Sequence, residues 1–450
     1  MKLAVIGGGG VRSAFLARSI ARRAATAGIH SVTFMDTDKE KLRIFGGISK
    51  QVAFALDPSL DFSLTDSLEK AVEGADYIIT TIRVGGDASR ALDERFTLDL
   101  GILGQETTGA CGFLMATRTI PALFSVCEAV QRLAAPGAII FNFSNPAGLV
   151  VQALYDKGYR NIYGVCDAPS GFLRQIARLY DHPVEDFEAL CFGLNHLSFF
   201  KSLKLEGREL IPSLLRDDRL YSATDMRFFE PALAVRNGML LNEYLYYYYY
   251  RDRAVSNIAG SGPCRGEHIE KCNREMLRAL APLDPEKDFE AALTVFNRWY
   301  GERERNYMAK ETGGQAKTQE FVFDIHEKDE GGYAGVALAY IDAMTGGKPV
   351  EMILNLPNEG AIDFLADDDV VELSCVIDRG GIRKKKVEDV RLPDSELIRR
   401  VKMYERMSAQ AIIGRDEELA TEALFLHPLV ASYPLAQKIA RRALGNGPKV

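Results

Sequence analysis

The side chains that could do chemistry are concentrated in short strings that lie between longer apolar segments. They are Arg83, Arg90, Glu106, Asn145, Cys166, Asp167, His196, Tyr244 and Arg265. A thiolate and an imidazole are ligands for divalent transition metals. Carboxylic acids and phenols transfer protons, and the arginine fork binds carboxylates and phosphates. Each residue alone has a plainer structural explanation, such as a buried cysteine or a packed tyrosine, but their combination indicates an enzyme site.

Four consecutive glycines at residues 7–10 follow the first apolar run and precede a helical segment. In a dinucleotide site, glycines permit a tight turn and close approach of the backbone to the pyrophosphate, which rests on the helix N-terminus. The G-x-G-x-x-G spacing is not met, because the sixth position is Arg12 or Ser13. The second apolar run ends at Asp36, whose carboxylate can accept from ribose hydroxyls and would repel a 2′-phosphate.

This order of strand, glycines, helix, strand and acid predicts a dinucleotide site for NAD rather than NADP. The alternative is a glycine-rich turn that binds no ligand. The predicted cofactor-binding residues are Gly7, Gly8, Gly9, Gly10, Val11, Arg12, Asp36 and Asn145.

Alternating strands and helices must position these side chains in the first half of the chain. We predict strands at residues 3–6, 31–35, 76–82, 138–143 and 161–165, and helices at 11–27, 39–55, 120–133 and 147–156. Continuously apolar strands that alternate with helices are typical of a parallel sheet covered on both faces. The string that begins at Arg83 follows one of these strands, at the edge where open α/β sheets bind ligands.

The regular alternation fades after about residue 170. Helices are predicted at 172–179, 238–250 and 266–280, strands at 361–376 and 381–391, and long helices over 397–443. We therefore predict an α/β protein with a Rossmann-like doubly wound NAD-binding domain at 1–168. A mixed α+β domain at 169–450 would carry substrate, metal and subunit contacts, in an architecture like that of lactate and malate dehydrogenases.

The composition narrows the class of protein. The 450 residues include 55 Lys+Arg and 62 Asp+Glu, a net charge of −7, which disfavours a nucleic-acid partner. The basic run at 383–386 is followed by acidic residues and is expected to be a solvated hairpin face. No window reaches the roughly 18 apolar residues of a membrane helix. The seven scattered cysteines fit a reducing cytoplasm.

Several strings together resemble glycoside hydrolase family 4, the NAD- and divalent-metal-dependent glycosidases that include 6-phospho-α- and 6-phospho-β-glucosidases. The resemblance extends from residue 1 to about residue 380. It lies in the strings at 85–86, 109–113, 145–148, 166–167, 244–247, 264–267, 356–358 and 375–378.

The resemblance implies a redox-elimination mechanism. NAD takes hydride from C3 of the sugar, a base removes the acidified C2 proton, the C1 to oxygen bond breaks, water adds, and the hydride returns. Cys166 and His196 match the family's metal ligands, which makes Mn²⁺ the expected ion. Tyr244 matches the catalytic base, and the metal and Arg265 would have to lower its pKa from about 10. Arg265 matches the arginine near the metal.

The substrate is less sharply defined by the resemblance. Asp167 after the metal-binding cysteine resembles the α members, where an aspartate can protonate the departing oxygen, whereas several other strings are closer to the β members. We favour a 6-phospho-β-glucoside. Arg83, Arg90, Glu106, Asn145 and Arg265 are the predicted substrate-binding residues, with Arg83 and Arg90 for the anionic end.

Other substrates and other classes stay open. The family's serine and tyrosine after the glycines are replaced here, and Arg12 appears, so a plain or uronic-acid glycoside is an alternative to the 6-phosphate. An NAD-dependent 2-hydroxy-acid dehydrogenase shares the expected fold but needs an Asp-His pair that the sequence does not identify. A non-catalytic NAD sensor is the third hypothesis. By resemblance the chain forms a homodimer or homotetramer.

Overall fold

The strands of this computed structural model form one mixed sheet. The structure describes residues 1–305, 307–314, 322–327 and 334–445. The strands are β1 (Lys2–Ile6), β2 (Ser31–Met35), β3 (Asp61–Thr65), β4 (Tyr77–Thr80), β5 (Ile139–Asn142), β6 (Ile162–Gly164), β7 (Phe187–Leu194), β8 (Leu197–Leu205), β9 (Arg208–Glu209), β10 (Leu240–Leu241), β11 (Val350–Pro357), β12 (Val370–Asp378) and β13 (Gly381–Lys384).

Six parallel strands form one half of the sheet, in the order β3-β2-β1-β4-β5-β6. This is the strand order of the doubly wound dinucleotide-binding fold. The sheet continues through antiparallel strands in the order β11-β12-β7-β8-β10, with β13 on β12 and β9 on β8. The predicted α/β fold class is confirmed.

Helices cover both faces of this sheet. They are α1 (Ser13–Arg23), α2 (Lys39–Lys41), α3 (Gly47–Leu56), α4 (Leu68–Val72), α5 (Gly86–Asp99), α6 (Gly109–Leu133), α7 (Ala147–Asp156), α8 (Asp167–Tyr180), α9 (Ile211–Leu214), α10 (Asp218–Ala223), α11 (Pro231–Asn237), α12 (Leu245–Tyr249), α13 (Arg251–Gly260), α14 (Arg265–Leu280), α15 (Phe289–Glu304), α16 (Gly335–Thr345), α17 (Leu392–Gly414), α18 (Glu417–Leu426) and α19 (Tyr433–Leu444). A π-helical turn, Leu42–Gly46, joins α2 to α3.

The alternation of side chains along β1 divides the core between the two faces. Leu3 and Val5 belong to the apolar cluster under α1, α3, α15 and α16. Ala4 and Ile6 belong to the cluster under α6, α7, α17 and α18. Because all four side chains are buried, β1 is a central strand, which its continuously apolar sequence predicts.

Some predicted elements differ from the observed ones for identifiable reasons. Helix α7 has the predicted bounds, but α6 begins at Gly109 rather than at residue 120. A Cβ at Gly112 would lie 2.6 Å from the Thr107 carbonyl oxygen, so this glycine permits close packing and does not break the helix. The predicted strand at 361–376 begins only at Val370, because Asn358 holds the preceding turns through its side-chain amide.

The predicted helix at 238–250 is wrong in its first part, and only Leu245–Tyr249 is helical. Gly238 has φ +68° and ends α11, and Leu240 and Leu241 then pair with β8 before α12 begins. The hairpin of β7 and β8 was not predicted. The predicted boundary at residue 168 falls just inside α8, and the sheet continues beyond it; the division into two domains stays a prediction.

The helix α6 is the one helix among the described residues that is long and apolar enough to span a membrane, which contradicts the expectation that no such window exists. Its apolar window has a mean hydropathy of 1.4 and is 67% buried inside the fold. The core helix of a soluble protein has the same properties, so this is weak evidence for a membrane span.

Candidate active site

A cavity of about 1350 Å³ opens at the carboxyl ends of the parallel strands. Of the predicted site residues, those that line it are Gly7, Gly9, Gly10, Val11, Arg12, Asp36, Arg83, Arg90, Glu106, Asn145, Cys166, Asp167, His196, Tyr244 and Arg265. Gly8 does not line it, because Gly8 packs against β2, where a Cβ would lie 2.6 Å from the Phe34 Cβ. The fold thus brings side chains from widely separated strings into one space.

The glycine turn has the geometry of a nucleotide cradle. Gly7 has φ +101°, and a Cβ there would lie 2.6 Å from the Thr81 carbonyl oxygen. The backbone N–H of Gly9 donates to Asp36 Oδ2 at 3.0 Å, which joins the turn to the end of β2. Helix α1 starts directly after Arg12, so its N-terminus opens onto the cavity. These residues fit a dinucleotide, with its pyrophosphate at the helix N-terminus and its ribose at Asp36.

Arg83 and Arg90 are tied together by one carboxylate. Glu106 Oε2 accepts from Arg83 Nη1 at 2.8 Å and lies 2.7 Å from Arg90 Nη1. Although burial opposes ionisation, the two guanidinium charges hold the pKa of Glu106 well below its ordinary value. Arg90 Nε also donates to Glu94 at 2.7 Å. Both arginines were expected to face the anionic end of a substrate, but each is already paired, and Arg83 retains the more exposed side chain.

Cys166 lies at the end of β6, where it is the N-cap of α8. Burial raises the pKa of the Cys166 thiol, and the negative charge of Glu372 raises it further. Hydrogen bonds from the Ala168 backbone and the Asn195 side chain act in the opposite direction. The net direction is upward, so a bound cation would have to stabilise the thiolate, which is the form that binds metals.

His196 occupies the two-residue turn between β7 and β8, with φ +63°. Its ring stacks on Tyr244 with a centroid distance of 3.7 Å and an interplanar angle of 5°. Its Nδ1 lies 2.9 Å from Thr107 Oγ1. Burial lowers the pKa of His196 to about 3, so the imidazole is neutral at physiological pH, as a metal ligand must be.

Tyr244 is a half-buried phenol that lines the cavity among acidic neighbours. Burial raises its pKa well above the ordinary value, and the nearby charges of Glu243, Cys166 and Glu106 add to the effect, while a hydrogen bond with Tyr307 opposes it. Arg265 lies 5.8 Å from the centroid of the Tyr307 ring, and its buried Nη1 has no hydrogen-bond partner within the described ranges.

Asp167 contacts a residue of the glycine turn. Its Oδ2 lies 3.9 Å from Arg12 Nη1. Burial in the cavity wall raises the pKa of Asp167, and the charges of Arg12 and Arg174 lower it. The acid that the sequence assigns to the departing oxygen therefore lies within reach of the cofactor turn.

The donor set fits a metal with open coordination positions. In the part of the chain that the structure describes, no group of three or more His, Cys, Asp or Glu side chains could hold an ion. The sulfur of Cys166 and the neutral imidazole of His196, the predicted ligand pair, both line the cavity, and their assignment as ligands stays a prediction. Two protein donors would leave coordination positions for substrate oxygens and water.

Several residues around the cavity were missed by sequence reasoning. Tyr307 donates to Glu243 at 2.8 Å and bonds with Tyr244. Glu372 is fully buried in β12 and bonds with Asn195. A carboxylate inside the apolar run of β12 is a signal that could have pointed to Glu372, whereas nothing in the sequence around Tyr307 indicates a site.

The fold and the cavity together define an enzyme of the dinucleotide-binding Rossmann class. Comparison with protein families is more specific: residues 2–182 match the model of family 4 glycosyl hydrolases, and residues 191–430 match the model of the family 4 glycosyl hydrolase C-terminal domain. The chain belongs to this family and is a glycosidase. The family predicted from the sequence is confirmed.

Individual relatives extend this finding. A probable 6-phospho-beta-glucosidase of Bacillus subtilis is 27% identical, over 98% of this chain and 94% of the relative. The 6-phospho-beta glucosidase of Thermotoga maritima, solved with manganese, NAD+ and glucose-6-phosphate, has a TM-score of 0.80 at 25% identity, with 98% of each chain covered. Malate dehydrogenase from Salinibacter ruber has a TM-score of 0.52 at 13% identity, over 93% of this chain and 99% of that one, and shares the fold alone.

Proposed function

We propose that this protein hydrolyses 6-phospho-β-glucosides with NAD and a divalent metal, Mn²⁺, as cofactors. The observation that carries the proposal is the convergence of Cys166, His196, Tyr244 and the glycine turn on one cavity. The names of the 6-phospho-β-glucosidase relatives support the substrate class, and the manganese and NAD+ in the solved relative support the cofactors.

The turn from Gly7 to Arg12, with Asp36 and Asn145, would hold NAD, and Cys166 and His196 would hold the metal. When bound, NAD supplies a reversible acceptor for hydride from C3 of the sugar, and the ion supplies Lewis acidity. A dinucleotide in a hydrolase is the exception to two-carboxylate glycoside hydrolysis.

The chain's own side chains move the protons. Tyr244 takes the proton from C2, which requires a cation to offset the burial that raises its pKa. Asp167 gives a proton to the departing oxygen, and the raised pKa of this carboxyl favours the protonated acid that this step needs. Tyr307 bonds with Tyr244 and would orient its hydroxyl, and Arg265 lies 5.8 Å from the centroid of the Tyr307 ring.

The anionic end of the substrate faces an arginine-rich wall. Arg83 is about a third exposed and keeps donors beyond its bond to Glu106. Arg265 offers a buried donor without a partner inside the described ranges. These two residues are our candidates for the 6-phosphate, because the planar fork matches phosphate oxygens. Glu106 orders Arg83 and Arg90, and Asn145 lines the same cavity.

A 6-phospho-α-glucosidase is the second candidate, and one observation favours it. Asp167 lines the cavity with a raised pKa, as a general acid for an α-linked leaving group would. The contact between Asp167 and Arg12 also leaves a plain or uronic-acid glycoside as a substrate alternative. A 2-hydroxy-acid dehydrogenase is not retained, because both halves of the chain match the glycosidase family.

A panel of α- and β-glucosides, each with and without a 6-phosphate, tests the proposal. We expect turnover of the 6-phospho-β-glucoside only when both NAD⁺ and Mn²⁺ are present, and deuterium at C2 of the product in heavy water. Full activity after both cofactors are removed would contradict the mechanism. Faster turnover of the α anomer would support the second candidate instead.

We also propose a cytoplasmic location for the protein and an assembly of identical subunits. All seven cysteines are free thiols, which fits a cytoplasmic protein. A homodimer or homotetramer remains our expectation. Tyr246 and Tyr247 are buried within the chain itself, so packing inside the subunit explains these two residues. We also keep a boundary near residue 168 between an NAD-binding part and a part for substrate, metal and assembly.

A further inference from the structure

A chain of three hydrogen bonds fixes which nitrogen of His196 carries the proton. It begins at Gln105, whose Oε1 accepts from the Thr107 backbone N–H at 2.9 Å. A backbone N–H can only donate, so the side-chain atom that faces it is the amide oxygen and not the nitrogen. The orientation of the Gln105 amide is therefore determined by the backbone.

The second bond uses the only proton of the Thr107 hydroxyl. Thr107 Oγ1 lies 3.1 Å from the same Gln105 oxygen. Because a carbonyl oxygen can only accept, the hydroxyl proton points to Gln105. The Thr107 oxygen is left with lone pairs alone for its remaining partner.

That remaining partner is His196 Nδ1, at 2.9 Å from Thr107 Oγ1. Since the hydroxyl has no further proton to give, Nδ1 must be the donor. A neutral imidazole carries one N–H, so Nε2 bears the lone pair. The stacking on Tyr244 and the buried position hold the ring in this orientation, with Nδ1 toward Thr107.

We propose that Thr107, oriented by Gln105, is a positioning residue that holds His196 with its proton on Nδ1 and Nε2 ready to bind a divalent cation. The inference rests on the proposed function, in which His196 is a metal ligand. Such outer partners commonly fix the tautomer and orientation of metal-binding histidines. Gln105 and Thr107 also connect the proposed metal site to the loop between α5 and α6. Glu106, which lies between them in the sequence, is the carboxylate that joins Arg83 and Arg90.

The chain offers a matched control for this hydroxyl. Thr108 is buried like Thr107, but its Oγ1 has no hydrogen-bond partner among the residues described. Thr107→Val removes the hydroxyl at nearly constant volume and leaves Nδ1–H of His196 without an acceptor. Thr107→Ser keeps the hydroxyl, and Thr108→Val removes a hydroxyl for which the described residues offer no hydrogen-bond partner.

The first measurement is Mn²⁺ binding by calorimetry, with NAD⁺ present and no glycoside. We expect Thr107→Val to weaken binding about 10- to 100-fold, the usual cost of losing an outer partner. Thr107→Ser and Thr108→Val should stay within about threefold of wild type, since each keeps the relay intact. A Thr107→Val protein that folds and binds Mn²⁺ like wild type would overturn the inference.

The second measurement reads the tautomer directly and needs no metal. Nitrogen-15 NMR of histidine-labelled protein, with the His196 signal assigned by its loss in His196→Gln, should show a protonated Nδ1 and an unprotonated Nε2. Thr107→Val should move the proton toward Nε2. A proton on Nε2 in the wild type overturns this inference alone, whereas a wild type that binds no Mn²⁺ overturns the proposed metal-dependent function.

Discussion

Glu372 makes the stability of the protein depend on pH in a way that one substitution can remove. The side chain is fully buried, and its Oε1 accepts from Asn195 at 3.3 Å and from Asn355 at 3.2 Å. Its Oε2 is buried with no hydrogen-bond partner within the described part of the chain. Burial raises the pKa of Glu372 from 4.5 to about 7, although the bonds from Ser198, Asn195 and Asn355 oppose the shift.

The sign follows from proton binding. Between pH 4.5 and about 7 the folded protein keeps a proton on Glu372 that the unfolded chain has released. Stability must therefore fall as the pH rises through this window. A difference of about 2.5 pH units corresponds to about 3 kcal/mol, of which about 2.5 kcal/mol falls between pH 5 and pH 8.

Glu372→Gln replaces the carboxyl by a neutral amide of the same shape, so this loss should disappear. Chemical denaturation of both proteins at pH 5 and pH 8 measures it. We expect the free energy of unfolding of the variant, relative to wild type, to increase by about 2 to 3 kcal/mol from pH 5 to pH 8. Glu388→Gln, at an exposed carboxylate, is the control and should give no comparable change. A variant-to-wild-type difference that is the same at both pH values would refute the reasoning.

Three further substitutions test the proposed catalytic, metal and cofactor residues. Tyr244→Phe should lower the rate of hydrolysis by about 10² to 10⁴, the usual loss for an acid or base, with NAD⁺ binding retained in a fluorescence titration. Tyr248→Phe, at a residue that does not line the cavity, should leave the rate near wild type, and equal losses in the two would contradict the role of Tyr244. Cys166→Ser should remove Mn²⁺-dependent activity in a folded protein, whereas Cys127→Ala, at a cysteine that does not line the cavity, should keep it. Retained Mn²⁺ dependence in Cys166→Ser would exclude the sulfur as a ligand. Asp36→Ala should weaken NAD⁺ binding by about tenfold, from the loss of hydrogen bonds to a charged group, and unchanged affinity in calorimetry would remove Asp36 from the site.

The parallel half of the sheet and its nucleotide site could be predicted because the sequence patterns that indicate them are local. The glycine turn and Asp36 each follow a strand directly, and the carboxyl ends of parallel strands meet at one edge. The same logic correctly brought Cys166 to that edge. Helix α7 was predicted with its observed bounds, since Pro146 precedes it and its apolar residues are continuous.

The antiparallel half depends on pairings that no local pattern reveals. The strand β12 is joined to β7 across about 180 residues of chain, and β10 joins β8 although the sequence around it suggested a helix. Ion pairs between residues that are distant in sequence are equally hard to predict. Arg83 and Arg90 look like free anion binders until the loop that carries Glu106 folds back on them.

A single row of residues across the sheet explains how two distant strings come together at the proposed metal site. Gly164 of β6 pairs with Asn355 of β11, Asn355 pairs with Glu372 of β12, and Glu372 pairs with Gly193 of β7. Cys166 follows the first glycine by two residues, and His196 follows the last by three. The separation of the two proposed ligands is thus set by the two strands between them.

Asn195 lies next to His196 and bonds across the separation between the two proposed ligands. Its Nδ2 donates to Glu372, its Oδ1 accepts from the Ala147 backbone at 3.1 Å, and its side chain bonds with Cys166. Because Glu372 holds Asn195 and Asn195 reaches the sulfur, a change at Glu372 should act on the metal site as well as on stability. Glu372→Gln keeps an acceptor for both asparagines and should preserve Mn²⁺ affinity, whereas Glu372→Leu removes that acceptor and should weaken it. Equal Mn²⁺ affinities of the two variants in calorimetry would show that Asn195 does not need Glu372 to support Cys166.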